Sequence, residues 1–228
     1  MMPDVHLLSL TAVGAVLGLD AVSFPQAMLS RPIVASTIGG AMVGDPVAGL
    51  LAGAALELVA LETLPVGALR YPEWGSASIV GGALLGSYGE TSPGGLSVTL
   101  FAAIATAWIG GWTMVQMRGL NGVMARRFRV AINAGSPTAV VGLQFAGLLA
   151  DLIRGGLLTL TALLVFEPLM HATLGVWGAS PRYSRAVSIG VAASVASGAV
   201  WKLFRGTAGA RWYLLCGLAL GLVVMAFR

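Results

Sequence analysis

The sequence is poor in the groups that most enzymes use. It has one cysteine, two histidines and nine acidic residues in 228 positions. Cys216 has no second thiol to pair with, which excludes an internal disulfide and any thiolate-based metal centre. His6 and His171 lie at the ends of apolar runs, without the neighbours of a metal or proton-relay site. No nucleophile elbow, metal-ligand spacing or strand-borne phosphate-binding glycine motif is present. The residues therefore point to no catalytic group, metal or cofactor on this chain. Charge is scarce too, at 10% of residues, where a soluble domain carries about 25%. No basic face exists outside the short connectors. The net charge of +4 thus fits basic loops flanking membrane spans better than nucleic-acid binding.

What the chain has in abundance is apolar and small residues: 57% hydrophobic, 32 glycines and a mean hydropathy of +0.88. This composition predicts an all-α integral membrane protein, a polytopic helical bundle. Small residues allow close helix packing, and they also permit broken helices. The N-terminus has no basic region ahead of its first apolar run, so no cleavable leader is expected. The whole of 1–228 reads as one membrane-embedded unit with no appended soluble domain.

One stretch is distinctive. Residues 33–43 carry no charge and would reach about 16 Å as a helix, about half of a bilayer's hydrocarbon core. Gly44-Asp45-Pro46 then interrupts the run. A second apolar run, 47–61, contains Glu57. Residues 33–66 therefore read as a discontinuous or re-entrant helical hairpin. Such backbone is tolerated at membrane depth only against protein or a water-filled cavity, and in transporters it often marks the substrate site.

The remaining chain divides by hydropathy. Residues 5–24 are long enough to span. The turn-rich connector 64–75 carries Arg70, Tyr71, Glu73 and Trp74, which read as interfacial or cavity-lining. Residues 76–85 are too short to span, and 86–95 read as a loop. A full span is expected over 96–116, and then a hydrophilic connector over 118–137. That connector holds Arg118, Arg126, Arg127 and Arg129 without an acid, which places it in the cytoplasm. Residues 138–169 read as one bent helix or two pieces, closed by Glu167-Pro168. A connector over 170–185 and membrane segments over 186–200 and 212–227 complete the chain.

Charged groups inside a bilayer cost several kcal/mol unless they are paired, neutral or facing a cavity. Asp45 reads either as a helix cap or as a lining residue. Glu57, flanked by leucines, reads as a structural hydrogen-bond partner or as a functional group. Glu62 lies about 140° around an ideal helix from Glu57, so the two do not form a pair on one face. Asp151 and Arg154, three apart, read as an internal ion pair. Glu167 is expected at an interface. Gln26 and Gln144 suit a polar ligand or a structural bond equally. Carboxylates and amides around broken helices, without reactive groups, suit recognition of a neutral polyol.

Arg31-Pro32, Gly44-Asp45, Gly49, Gly53, Leu56-Glu57-Leu58, Pro65-Val66-Gly67 and Pro72-Glu73, with Gly18-Leu19-Asp20 upstream, resemble component IIC of the mannose/fructose/sorbose phosphotransferase family. The likeness covers about the first 85 residues. This chain departs from the family in having Glu73 after Pro72, where members often carry aspartate, and Glu62 where they carry glycine or tryptophan. The resemblance implies a sugar permease of the bacterial inner membrane that works with a IID membrane subunit. Cytoplasmic IIA and IIB proteins would supply the phosphoryl group, and the subunits would assemble as trimers. It also implies that Gln26, Asp45 and Glu57 contact a hexose-type sugar, to which Glu62 and Glu73 are added as candidates on this chain, and that no residue here is phosphorylated. The competing readings are an ion-coupled transporter or channel acting alone, motivated by the same buried acids, and a non-transporting scaffold, motivated by the glycine content.

Overall fold

The computed structural model describes residues 4–21, 23–61, 70–88, 94–176 and 180–226. Among them the elements are helical: α1 Asp4–Asp20, α2 Pro32–Met42, α3 Pro46–Ala60, α4 Trp74–Tyr88, α5 Gly95–Arg127, α6 Arg129–Asn133, α7 Pro137–Gly175, α8 Pro181–Phe204 and α9 Ala210–Ala226. Three helices are long and apolar enough to cross a membrane: α5, α7 and, from Arg185, α8. The chain is an all-α membrane protein.

The interrupted hairpin forms where the residues predict it. Gly44 adopts φ +96°, a left-handed conformation that side chains resist. Asp45 caps α3 by accepting the Ala48 N–H at 2.9 Å, and Pro46 fills the first helical position, where its missing donor costs nothing. The two half-helices then pack face to face through small residues.

The core sits around α4. Every residue from Trp74 to Leu85 is buried, and α4 contributes to both apolar clusters. Ala77 and Leu85 join Leu56, Leu100 and Ala103. Ile79, Val80 and Leu84 join Leu10, Leu17 and Leu163. Gly82 permits the tightest approach, since a Cβ there would lie 1.9 Å from the Ser36 carbonyl oxygen of α2. A helix buried on all sides needs small residues for its neighbours to close around it. By contrast, α5 and α7 present a large apolar belt outward, including Phe101, Trp108, Trp112, Leu157 and Val165.

Several boundaries differ from the sequence expectation. The first helix stops at Asp20 rather than Phe24, because the Asp20 carboxylate accepts the N–H groups of Ala27 (2.7 Å) and Ser30 (2.8 Å) and turns the chain. The expected short segment 76–85 is a helix from Trp74 to Tyr88. The Arg-rich connector 118–137 is no loop: α5 runs on to Arg127 and α6 follows. Its arginines, Met124 and Leu120 are good helix formers, and the polarity of the arginines says where water is, not where the helix ends. At about 50 Å, α5 exceeds a bilayer core and carries these arginines beyond it. Glu167-Pro168 does not close the next segment either. α7 continues through Pro168 to Gly175, into the expected connector, and Glu167 is buried within the bundle. Proline removes one ladder bond, which a long packed helix tolerates.

Candidate functional site

Polar groups from four helices converge at the end of the bundle where α1 finishes and α4 begins. A Cβ on Gly75 would lie 2.2 Å from the Leu17 carbonyl oxygen, and one on Gly18 would lie 2.8 Å from Ser76 Oγ. Ser76 Oγ donates to the Gly14 carbonyl at 3.1 Å. Glycines on both helices thus bring the backbones into contact and leave the serine hydroxyl as the joint.

Glu73 stands at the centre. It precedes α4, its own N–H donates to the Ala107 carbonyl of α5 at 2.9 Å, and its side chain is fully buried. Oε1 accepts the Ser76 N–H at 3.1 Å, capping α4. Oε2 has no partner. Gly110 of α5 makes room, since a Cβ there would sit 2.8 Å from the Glu73 Cβ and 2.7 Å from Leu158 of α7. A buried acceptor without a donor costs about 1–3 kcal/mol, and more when charged. Such an atom marks a candidate contact for a bound water or a ligand.

One turn along α5, Thr113 faces α7. Arg154 Nη1 approaches Thr113 Oγ1 at 3.5 Å, and Arg154 Nε donates to Asp151 Oδ1 at 2.8 Å. The expected ion pair is therefore formed and buried, with Arg154 Nη2 left without a partner among the described residues. Ser23 Oγ donates to Asp151 Oδ2 at 2.7 Å, which ties the loop after α1 to α7. Gln26 lies in the same loop, exposed, with φ +60°.

The other end of that loop is held by the hairpin. Arg31 at the start of α2 pairs with Glu57 Oε1, and the Ile33 N–H donates to Oε2 at 3.2 Å. Glu57 thus supplies from α3 the cap that α2 lacks, since Arg31 makes no side-chain cap bond. Both of its oxygens are engaged within the chain.

The structure gathers some of the predicted residues and separates others. Glu73 and the Gln26 loop share one end of the bundle. Asp45 sits at the other, with its carbonyl 3.4 Å from where a Cβ on Gly86 would be. Position 86 lies about 20 Å along α4 from Glu73, so Asp45 and Glu73 cannot grip one small ligand in this conformation. Glu62 lies outside the described residues. Sequence reasoning missed Ser23, Ser76 and Thr113, because isolated hydroxyls carry no spacing signal until folding aims them. Tyr71 and Arg118 were legible as polar residues but not as neighbours. Arg118 Nη2 donates to Tyr71 Oη at 2.7 Å, and the guanidinium lies over the ring at 5.2 Å.

The family model described as the PTS system sorbose-specific IIC component matches residues 5–181. The chain belongs to this family. Among curated IIC proteins, it is 25% identical over 174 residues to the fructose permease IIC component of Bacillus subtilis, covering 76% of this chain and 63% of that one. It is 28% identical over 132 residues to the sorbose-specific EIIC component of Lacticaseibacillus casei, covering 54% and 43%. A third relative, the sorbose-specific EIIC component of Klebsiella pneumoniae, is 35% identical over 75 residues, covering 33% and 28%. This IIC chain thus spans less than two thirds of the length of the curated relatives it matches. Its fold is similar to that of a solved membrane protein, with TM-score 0.68, 19% identity, and coverage of 100% of this chain and 89% of that one. It is also similar to a chain of the mannose transporter ManYZ in complex with microcin E492, with TM-score 0.63, 21% identity, and coverage of 100% and 88%.

Proposed function

We propose that this chain is the sugar-conducting IIC subunit of a phosphotransferase system of the mannose/fructose/sorbose type. It binds a hexose-type sugar and moves it across the bacterial inner membrane together with a IID membrane subunit, in a trimeric assembly. A cytoplasmic IIB protein, charged by IIA, phosphorylates the arriving sugar. The observation that carries this reading is the free Oε2 of fully buried Glu73. A sugar hydroxyl is the neutral donor that satisfies a buried carboxylate without adding charge to the membrane interior.

Within this reading Glu73 accepts from the sugar, and Gln26 closes over it from the loop pinned by Asp20 and Asp151. Glu57 and Asp45 hold the hairpin from its two ends in the present conformation, with Glu57 clamping the loop's exit. They meet sugar only if the hairpin repositions during transport. Glu62 is placed on the same path only as an acid at the end of the second apolar run, since the family carries no acid there. The sugars for which the relatives are named, fructose and sorbose, together with mannose, define the substrates to try first.

The test is uptake of each labelled hexose into vesicles carrying this chain with a IID partner. Accumulation should require phosphorylated IIB and should fail in Glu73→Gln. Accumulation that persists unchanged after IIB is withdrawn would overturn the proposal.

A further inference from the structure

A polar hollow of about 450 Å³ lies between the C-terminal half of α5 and the first half of α7. That volume falls within the range of small-molecule sites. Its polar lining is Ser23, Arg118, Asn121, Gln144 and Asp151, set in a wall of methionine, leucine and small residues. The arrangement follows from helical spacing. Arg118 and Asn121 are three apart on α5, and Gln144 and Asp151 are seven apart on α7, so each pair shares a face. Gly147 lies between the α7 pair and opens the space. A Cβ there would come within 3.7 Å of Asn121 Nδ2. Asn121 Oδ1 is buried and has no partner among the described residues.

We propose that this hollow is a second hexose site. The inference rests on the sugar-transport reading above. The lining offers a guanidinium donor, two amides that donate and accept, a hydroxyl and a carboxylate, which matches the alternating donors and acceptors of a polyol. Asp151 is balanced by Arg154, so the site holds no excess negative charge, and the unused Asn121 oxygen awaits a hydroxyl. The hollow is linked to the first site by two hydrogen bonds. Arg118 bonds Tyr71, two residues before Glu73, and Asp151 bonds Ser23, three residues before Gln26. Just past Asn121 come Arg126, Arg127 and Arg129, the basic end assigned to the cytoplasm by loop charge. A sugar leaving Glu73 toward that end would meet this hollow next.

The test uses the full chain in membranes with its IID partner. Cys216, the sole and exposed cysteine, is replaced by serine and a reporter is introduced at the apolar wall of the hollow as Ala125→Cys. Maleimide labelling of the reporter is measured with fructose, sorbose and mannose in turn. The expected result is at least threefold slower labelling with one hexose, retained when Glu73→Gln is added and lost when Asn121→Ala is added. Protection that disappears with Glu73→Gln would mean a signal relayed from the first site, and would overturn the proposal. No protection by any of the three hexoses, while Glu73-dependent uptake continues, would overturn the second site alone. Protection retained while uptake ignores Glu73 would support the hollow as a site and overturn the transport role given to Glu73.

Discussion

Replacing Glu73 by glutamine separates the two jobs assigned to that side chain. Glu73 is fully buried; one oxygen caps α4 at Ser76 and the other is unpartnered. Glutamine has nearly the same shape and keeps a carbonyl oxygen for the Ser76 N–H, so the start of α4 stays capped. It removes an incompletely paired buried charge, which leaves stability unchanged or raises it. What it loses is the charged acceptor at Oε2, where an amide NH₂ would now face a sugar hydroxyl. A hydrogen bond to a charged group contributes about 1.5–3 kcal/mol, so hexose affinity should fall about 10- to 150-fold. Glu73→Ala removes the cap as well, at about 1 kcal/mol, and leaves a hole against Gly110 and Leu158 that brings the total to about 2–4 kcal/mol. Calorimetric titration of the purified complex with hexose, beside thermal unfolding in the same detergent, measures both quantities. Glu73→Gln with affinity within twofold of the parent would refute the reasoning. So would a stability loss in Glu73→Gln equal to that in Glu73→Ala, since the residue would then be a cap and nothing more.

Two further outcomes concern the scaffold. Gly82→Ala places a methyl group 1.9 Å from the Ser36 carbonyl and must push α2 from α4; it should cost about 1–3 kcal/mol, read as a lower unfolding temperature, whereas a neutral result would contradict the close approach. Arg31→Ala and Glu57→Gln should each destabilise the hairpin, and their double-mutant cycle should give a coupling near 1 kcal/mol, modest because Arg31 is 37% exposed. A coupling of zero would mean that the pair does not form.

The broken hairpin was legible because its cause is local. Gly44, Asp45 and Pro46 act on their own backbone torsions and on the first donors of the next helix, and no distant residue is needed. The Asp151–Arg154 pair was legible for a similar reason, since spacing along one helix fixes which side chains meet. Where polarity was read as a boundary, the expectation failed. Arg118–Arg127 and Glu167-Pro168 are polar or helix-breaking in isolation, yet α5 and α7 run through them. The fate of Glu57 and Glu73 was not legible in residue type. Both are acids beside apolar residues, and only packing decided that one is spent on Arg31 and the α2 cap while the other keeps an oxygen free.

By itself the sequence determined a membrane-embedded helical chain, an interrupted hairpin at residues 44–46, and a likeness to IIC permeases. These follow from composition, from short-range torsional preferences and from motif residues close together in the chain. Tertiary structure alone decided that α4 would be the buried centre and that Asp45 and Glu73 would face opposite ends of the bundle. It also brought Ser23, Arg118, Asn121, Gln144 and Asp151 to a common hollow. The physical reason is that each of these depends on which glycine-lined faces of different helices can approach most closely, a property of pairs of surfaces that no single stretch of sequence contains.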